Sequence, residues 1–193
     1  MLGNLFAPKP TFVFAQLNIR VMPEQRGEWF EDPLDEALKA EKLGEVTGGG
    51  TLQEKSGEIA WVGLDLELLD LTRSIPLVTE FLTRRGAPKG SRLEYKLRGS
   101  RMDLPFGAVE GMGVYLNGTD LPPEVYRDCG ADQALDGLSL ALGDLGAYAN
   151  NWQGPAETAL YFYGESFAAM RDAAQPFLAS YPLCQHARVV QIA

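Results

Sequence analysis

Arg20 sits in an alternating segment, TFVFAQLNIRVM at 11–22, and Asp65 and Glu67 sit in a second one, EIAWVGLDLELLD at 58–70. If the two segments are neighbouring strands, a guanidinium is brought toward two carboxylates. Such a group orients a charged substrate, or it forms a cross-strand ion-pair network of small energetic value. Trp61 shares the alternation of Asp65 and Glu67, and Phe12 and Phe14 share that of Arg20. Further along, Tyr115, Tyr161 and Tyr163 alternate with Val114, Leu116, Leu160 and Phe162. Aromatic rings beside a few polar groups suit a ligand cleft. They equally suit a packed contact between two halves of a protein, with opposite charges paired across strands. The ligand-binding candidates are therefore Arg20, Trp61, Asp65, Glu67, Tyr115, Tyr161 and Tyr163.

No recognisable catalytic set accompanies them. His186 is the only histidine, which excludes multi-histidine metal sites, and its position reads as a surface loop before the last strand. Cys129 and Cys184 lack a CxxC spacing and read as reduced, buried thiols. There is no DxDxDG loop, and Gly164-Glu165-Ser166 continues into Phe167, so no GxSxG elbow exists. The run GGGT at 48–51 lacks the phosphate-loop pattern and follows a helix-prone stretch, so it reads as a turn or hairpin. GAPKGS at 86–91 reads as a helix stop, and Asn117-Gly118 as a turn despite its match to a glycosylation sequon. No metal or cofactor is expected, and no residue is assigned a catalytic role.

The elements that must position these side chains follow from periodicity. Residues 11–22 alternate as a half-buried strand, and Leu34, Leu38 and Leu43 recur near helical spacing before Gly44, which stands where a helix C-cap usually stands. A short strand over 45–52, a clear strand through AWVGLDLEL, a helix in LTRSIPLVTEFLTRRG and a strand RLEYKL complete the first half. The same order returns as strand GVYLNG, a helix from Pro123 through DQALDGLSLALGDLG, and strands AYANNW and ETALYFYG. The helix SFAAMRDAAQPFLASY and the strand RVVQI complete it. Leu43-Gly44 matches Leu145-Gly146, Gly57-Glu58 matches Gly154 to Glu157, Pro76 matches Pro176, and Ala87-Pro88 matches Tyr181-Pro182. A period near 100 residues is too long for a solenoid and implies a duplication. We expect an α+β chain of two ferredoxin-like βαββαβ units over 1–98 and 111–193, joined by a linker at 99–110. The stretch NNWQGPAETALYFYGES, leading into a Pro-interrupted helix, is similar to segments of uncharacterised bacterial proteins of this α/β-plait type. That resemblance implies the fold and no activity.

The chain has 193 residues, 46% of them hydrophobic, and 26 acidic against 17 basic residues give a net charge of -9. This balance disfavours phosphate backbones and anionic membranes and favours cationic partners. The N-terminal segment lacks a basic region followed by an apolar run, so neither a signal peptide nor a membrane span is expected, and a cytoplasmic location follows. The leading expectation is a non-enzymatic binding or regulatory protein, monomeric or homodimeric. It would use the open sheet faces, or the groove between halves, for a small molecule or a protein. The alternatives are an enzyme acting in a cavity between the two sheets, an immunity or inhibitor protein for a basic partner, and an assembly protein joined by strand edges.

Overall fold

The computed structural model describes residues 9–193; the first eight residues of the unit expected over 1–98 lie outside the described residues. The first unit runs β1 (Thr11–Leu17), α1 (Pro23–Arg26), a π-helical turn (Gly27–Glu31), α2 (Asp32–Ala40), β2 (Gly44–Gln53), β3 (Ile59–Leu68), α3 (Leu71–Arg84) and β4 (Ser91–Leu97). After β5 (Ser100–Phe106), the second runs β6 (Glu110–Asn117), α4 (Pro123–Asp128), α5 (Ala131–Leu142), β7 (Ala147–Gln153), β8 (Glu157–Gly164), α6 (Phe167–Ser180) and β9 (Arg188–Gln191). The sheet orders are β2-β3-β1-β4 and β7-β8-β6-β9, every pairing antiparallel, which is the ferredoxin-like arrangement in both halves. A register shift falls at the same place in each unit, between Val46 and Gly48 on β2 and between Tyr148 and Asn150 on β7.

Strand alternation decides which side chains meet the helices. In the first unit Val13, Ala15 and Leu17 of β1, Val62, Leu64, Leu66 and Leu68 of β3 and Leu93 of β4 are buried. They pack with Leu34 and Leu38 of α2 and Ile75, Val78 and Leu82 of α3. In the second, Met112, Val114, Leu116, Leu160 and Phe162 pack with Ala134, Leu138 and Leu142 of α5 and Met170 and Ala174 of α6. Asp70 caps α3 by accepting from the N–H groups of Thr72 and Arg73 at 3.1 and 3.3 Å.

Three local readings come out differently. Residues 99–110, expected to be a linker, contain β5 (Ser100–Phe106), which pairs with β4 from Ser91–Phe106 to Leu97–Ser100 and gives the first sheet a fifth strand. The GGGT run lies within β2 rather than in a turn. Gly49 there is overlain by the Arg26–Glu31 ion pair (2.6 Å), and a Cβ would collide with the Glu31 carboxylate. The helix before it ends at Ala40, and the residue in the left-handed region is Lys42 (φ 56°), not a glycine cap.

Gly44 instead opens β2 at φ 145°, where a Cβ would run into the carbonyl oxygen of Glu67. Gly44→Ala is therefore expected to cost about 2 kcal/mol of stability. Urea unfolding followed by circular dichroism checks this, and an unchanged midpoint would show that the β2 edge gives way without strain.

Candidate functional site

The seven candidate residues divide between two places. Arg20, Tyr115, Tyr161 and Tyr163 converge where the units meet. Trp61, Asp65 and Glu67 lie on the far face of the first sheet. The pairing expected between Arg20 and the two carboxylates is absent because of register: Asp65 stands opposite Phe14 and Glu67 opposite Phe12. Six residues of extended chain from Phe14 to Arg20 span roughly 20 Å.

Arg20 pairs with Glu58 instead. One oxygen of the Glu58 carboxylate accepts from the Arg20 guanidinium, from the Tyr115 hydroxyl at 2.6 Å and from the Tyr161 hydroxyl at 2.8 Å. The guanidinium also donates to the Tyr115 oxygen at 2.7 Å and lies 5.1 Å from the Tyr161 ring centre. The Tyr163 hydroxyl accepts from the backbone N–H of Arg20 at 2.9 Å. On the outer side Arg188 covers the Tyr115 ring at 4.5 Å and holds Glu157 through two bonds of 2.8 and 2.9 Å. Arg20 and Glu58 come from the first unit and all three tyrosines from the second, so the cluster ties the units together.

Glu58 was not among the expected residues because it only opens the run at 58–70, one residue before β3, where period two puts it in the helix-facing row with Ala60 and Val62. Continuing the antiparallel register past Leu17–Val62 would have brought Arg20 level with Ile59, next to Glu58.

Burial governs the electrostatics of the cluster. Desolvation pushes the Tyr161 and Tyr163 phenols well above the ordinary tyrosine range, and Glu58 adds to the shift at Tyr161. Tyr115 is raised by the same causes. Burial alone would lower Arg20, but Tyr115 and Glu58 outweigh it and its pKa rises. The group therefore holds a cation, a carboxylate and protonated phenols facing one another. The Cys184 thiol, buried away from this site, is pushed up to about 11 by desolvation.

The units do not meet open face to open face. Tyr115, Ala149, Ala159, Tyr161 and Tyr163, on the side of the second sheet away from α5 and α6, are buried in the same cluster as Ile19 and Val21. They lie against the end of the first unit, with Gln25 of α1 donating to the Ala149 carbonyl at 2.7 Å. A pocket of about 210 Å³ remains there, lined in part by Met22, Gly57, Ile59, Trp152 and Tyr161.

The corresponding face of the first sheet stays uncovered by described residues. Phe12 is 56% exposed, and the half-buried Phe14 and Trp61 meet edge to face with ring centres 5.8 Å apart. Beside them Glu94 is held by Arg92 and Arg101 at 2.8 and 2.6 Å, and Arg92 also donates to Gln16 at 2.8 Å. Phe12, Phe14, Glu94, Lys96 and Arg101 border a cleft of about 510 Å³. Among the described residues no group of three or more His, Cys, Asp or Glu side chains is placed to hold a metal ion. No helix there is long and apolar enough to cross a membrane.

No family model matches the chain, and no curated protein does. Among solved structures it is similar to the first two RRM domains of yeast poly(U)-binding protein, at 9% identity over 94% of this chain and 99% of that one, with a TM-score of 0.26. It is also similar to a proposed monooxygenase from Fusobacterium nucleatum, at 7% identity over 96% and 92% of the two chains, with a TM-score of 0.31. An unknown protein from Galdieria sulphuraria aligns at 10% identity over 95% and 97%, with a TM-score of 0.27. At these scores the fold class rests on the strand orders themselves, and no activity follows from the likeness.

The raised phenols make a prediction about alkaline pH. A phenol whose folded pKa exceeds its unfolded value near 10 contributes stability that is full below pH ~10 and is lost as pH rises toward the folded value. Stability should therefore fall from about pH 10 upward, and less steeply in Tyr161→Phe. In an absorbance titration of the phenolates, Tyr115, Tyr161 and Tyr163 should ionise only as the chain unfolds. Seven tyrosines titrating together in the folded protein would contradict the burial described.

Proposed function

We propose that the chain is a non-enzymatic binding protein whose recognition surface is the uncovered face of the first sheet, around Phe12, Phe14 and Trp61. The observation that carries this reading is the asymmetry between the two units. The second sheet's outer face is filled by the first unit, whereas the same face of the first sheet leaves a phenylalanine more than half exposed beside a cleft. Leaving a large ring in water forgoes about 1.5–3 kcal/mol of burial, a cost that a binding surface recovers when occupied. Paired charges on Arg92, Glu94 and Arg101 border the rings and supply polar selectivity. In the polar cluster at the junction, the Arg20 cation, one Glu58 oxygen and the Tyr115 and Tyr161 hydroxyls are already engaged with one another, and the Tyr163 hydroxyl with the Arg20 backbone, which favours the sheet face over the junction as the recognition site.

The test uses an aromatic sulfonate dye, 8-anilinonaphthalene-1-sulfonate, at protein concentrations of about 0.5 µM, where weak self-association contributes little. Phe12→Ala combined with Trp61→Ala is expected to weaken dye binding at least about tenfold while shifting the melting temperature by only a few degrees. Unchanged dye affinity would remove the surface from consideration. A collapse of stability would assign the rings to the core.

A further inference from the structure

The charges on the uncovered face are sorted by side. Glu45 of β2 stands opposite Glu67 of β3, which stands opposite Phe12 of β1; beyond Phe12, around the same cleft, come Lys96 of β4 and then its partner Arg101 of β5. Read across the strands, this row is two anions, an exposed aromatic ring and two cations. The next row is Gly48, Asp65, Phe14, Glu94 and Asp103, and in the third Arg92 lies opposite Gln16. The β2 and β3 strands therefore present the carboxylates of Glu45, Asp65 and Glu67 and no cation of their own, with Lys39 of α2 reaching Glu45 at 3.8 Å from the sheet edge. On the β4–β5 side the cations Arg92, Lys96 and Arg101 outnumber the carboxylates Glu94 and Asp103. Among the described residues Asp65, Glu67 and Lys96 form no ion pair.

We infer that the partner of this face is a second copy of the chain, docked sheet to sheet about a two-fold axis parallel to β1 and passing over Phe12 and Phe14. This rests on the reading of that face as the recognition surface. A two-fold in this direction keeps each row level with itself and exchanges its ends. Glu45 and Glu67 of one protomer then face Arg101 and Lys96 of its partner, and the same contacts recur by symmetry. The rings of β1 meet at the axis, where their exposed area is removed from water. Asp65 meets Glu94, whose two oxygens are already neutralised by Arg92 and Arg101. A two-fold perpendicular to the strands would instead set the β2–β3 carboxylates on one another, so like charge selects the first geometry. Aligned packing of two sheets holds their strands within about 30°, which preserves the opposition of the rows. A five-stranded face this size buries roughly 1,000 Å² in total between two copies, the low end for a specific interface, so the dimer is a weak, concentration-dependent one.

Sedimentation velocity on the full chain, from about 1 to about 200 µM at low salt, should show the mass rising from 21.1 kDa toward twice that value, and less so at about 0.5 M salt. Glu45→Lys with Glu67→Lys makes both flanks basic, and Lys96→Glu with Arg101→Glu makes both acidic. Each double variant should be monomeric alone, and an equal mixture should restore the dimer, which also shows that both are folded. A parental chain that stays monomeric throughout, or a dimer that persists in each variant alone, overturns the inference. If the chain is monomeric but dye binding still depends on Phe12 and Trp61, the recognition surface stands and only the second copy is discarded. If dye binding is indifferent to those rings, the surface itself falls.

Discussion

One carboxylate oxygen holds the two halves in their relation. The Glu58 oxygen takes a guanidinium from its own unit and two phenols from the other, and the same guanidinium is shared with one of those phenols. Charge-assisted hydrogen bonds of this kind gain strength where water is excluded, and their geometry admits few alternatives. The apolar surface around them, from Ile19 and Val21 to Ala149 and Ala159, supplies area but little direction. The polar centre therefore fixes the angle at which the second sheet lies on the first unit, and that angle leaves the first sheet's outer face clear.

Duplication supplied two equal units, and docking made them unequal. Each has the same order of its four core strands, one layer of helices packed on one side, and the same register shift in its outer hairpin. The outer face of the second is lined by Tyr115, Tyr161 and Tyr163, side chains that bury a large area while keeping a hydroxyl to satisfy. The outer face of the first carries charged residues between its aromatic rings, a composition suited to an interface that is wet when empty. The two faces thus differ in composition as they differ in cover, one buried against the first unit and the other left open by the described residues.

Much of the fold was legible because period-two alternation and helical spacing are local properties. The runs through Val13 and Leu66, and the tyrosine alternation of β8, place their side chains on the faces they occupy. What was not legible depended on partners distant in sequence. Ser100–Phe106 carries no alternation of buried residues, since β5 is an exposed edge, and only its pairing with β4 makes it a strand. The glycines of β2 look like a loop until Glu31 and Arg26 are seen above Gly49. At the site, parity correctly gathered the tyrosines and Arg20 on the sides away from the helices. It could not say how far along a strand each residue lay, and that distance separates Arg20 from Asp65 and joins it to Glu58.

The placement of β5 bears on how the chain folds as it is made. Strands β1 to β5 and their helices lie wholly before Glu110, so the first five-stranded sheet can form while the second unit is still being synthesised. Arg20 and Glu58 belong to that early unit and are then a solvated ion pair at its end. The tyrosine face, emerging later, meets an anchor already in place. Synthesis in the opposite order would expose three phenols and a bare apolar sheet to water until their cover arrived.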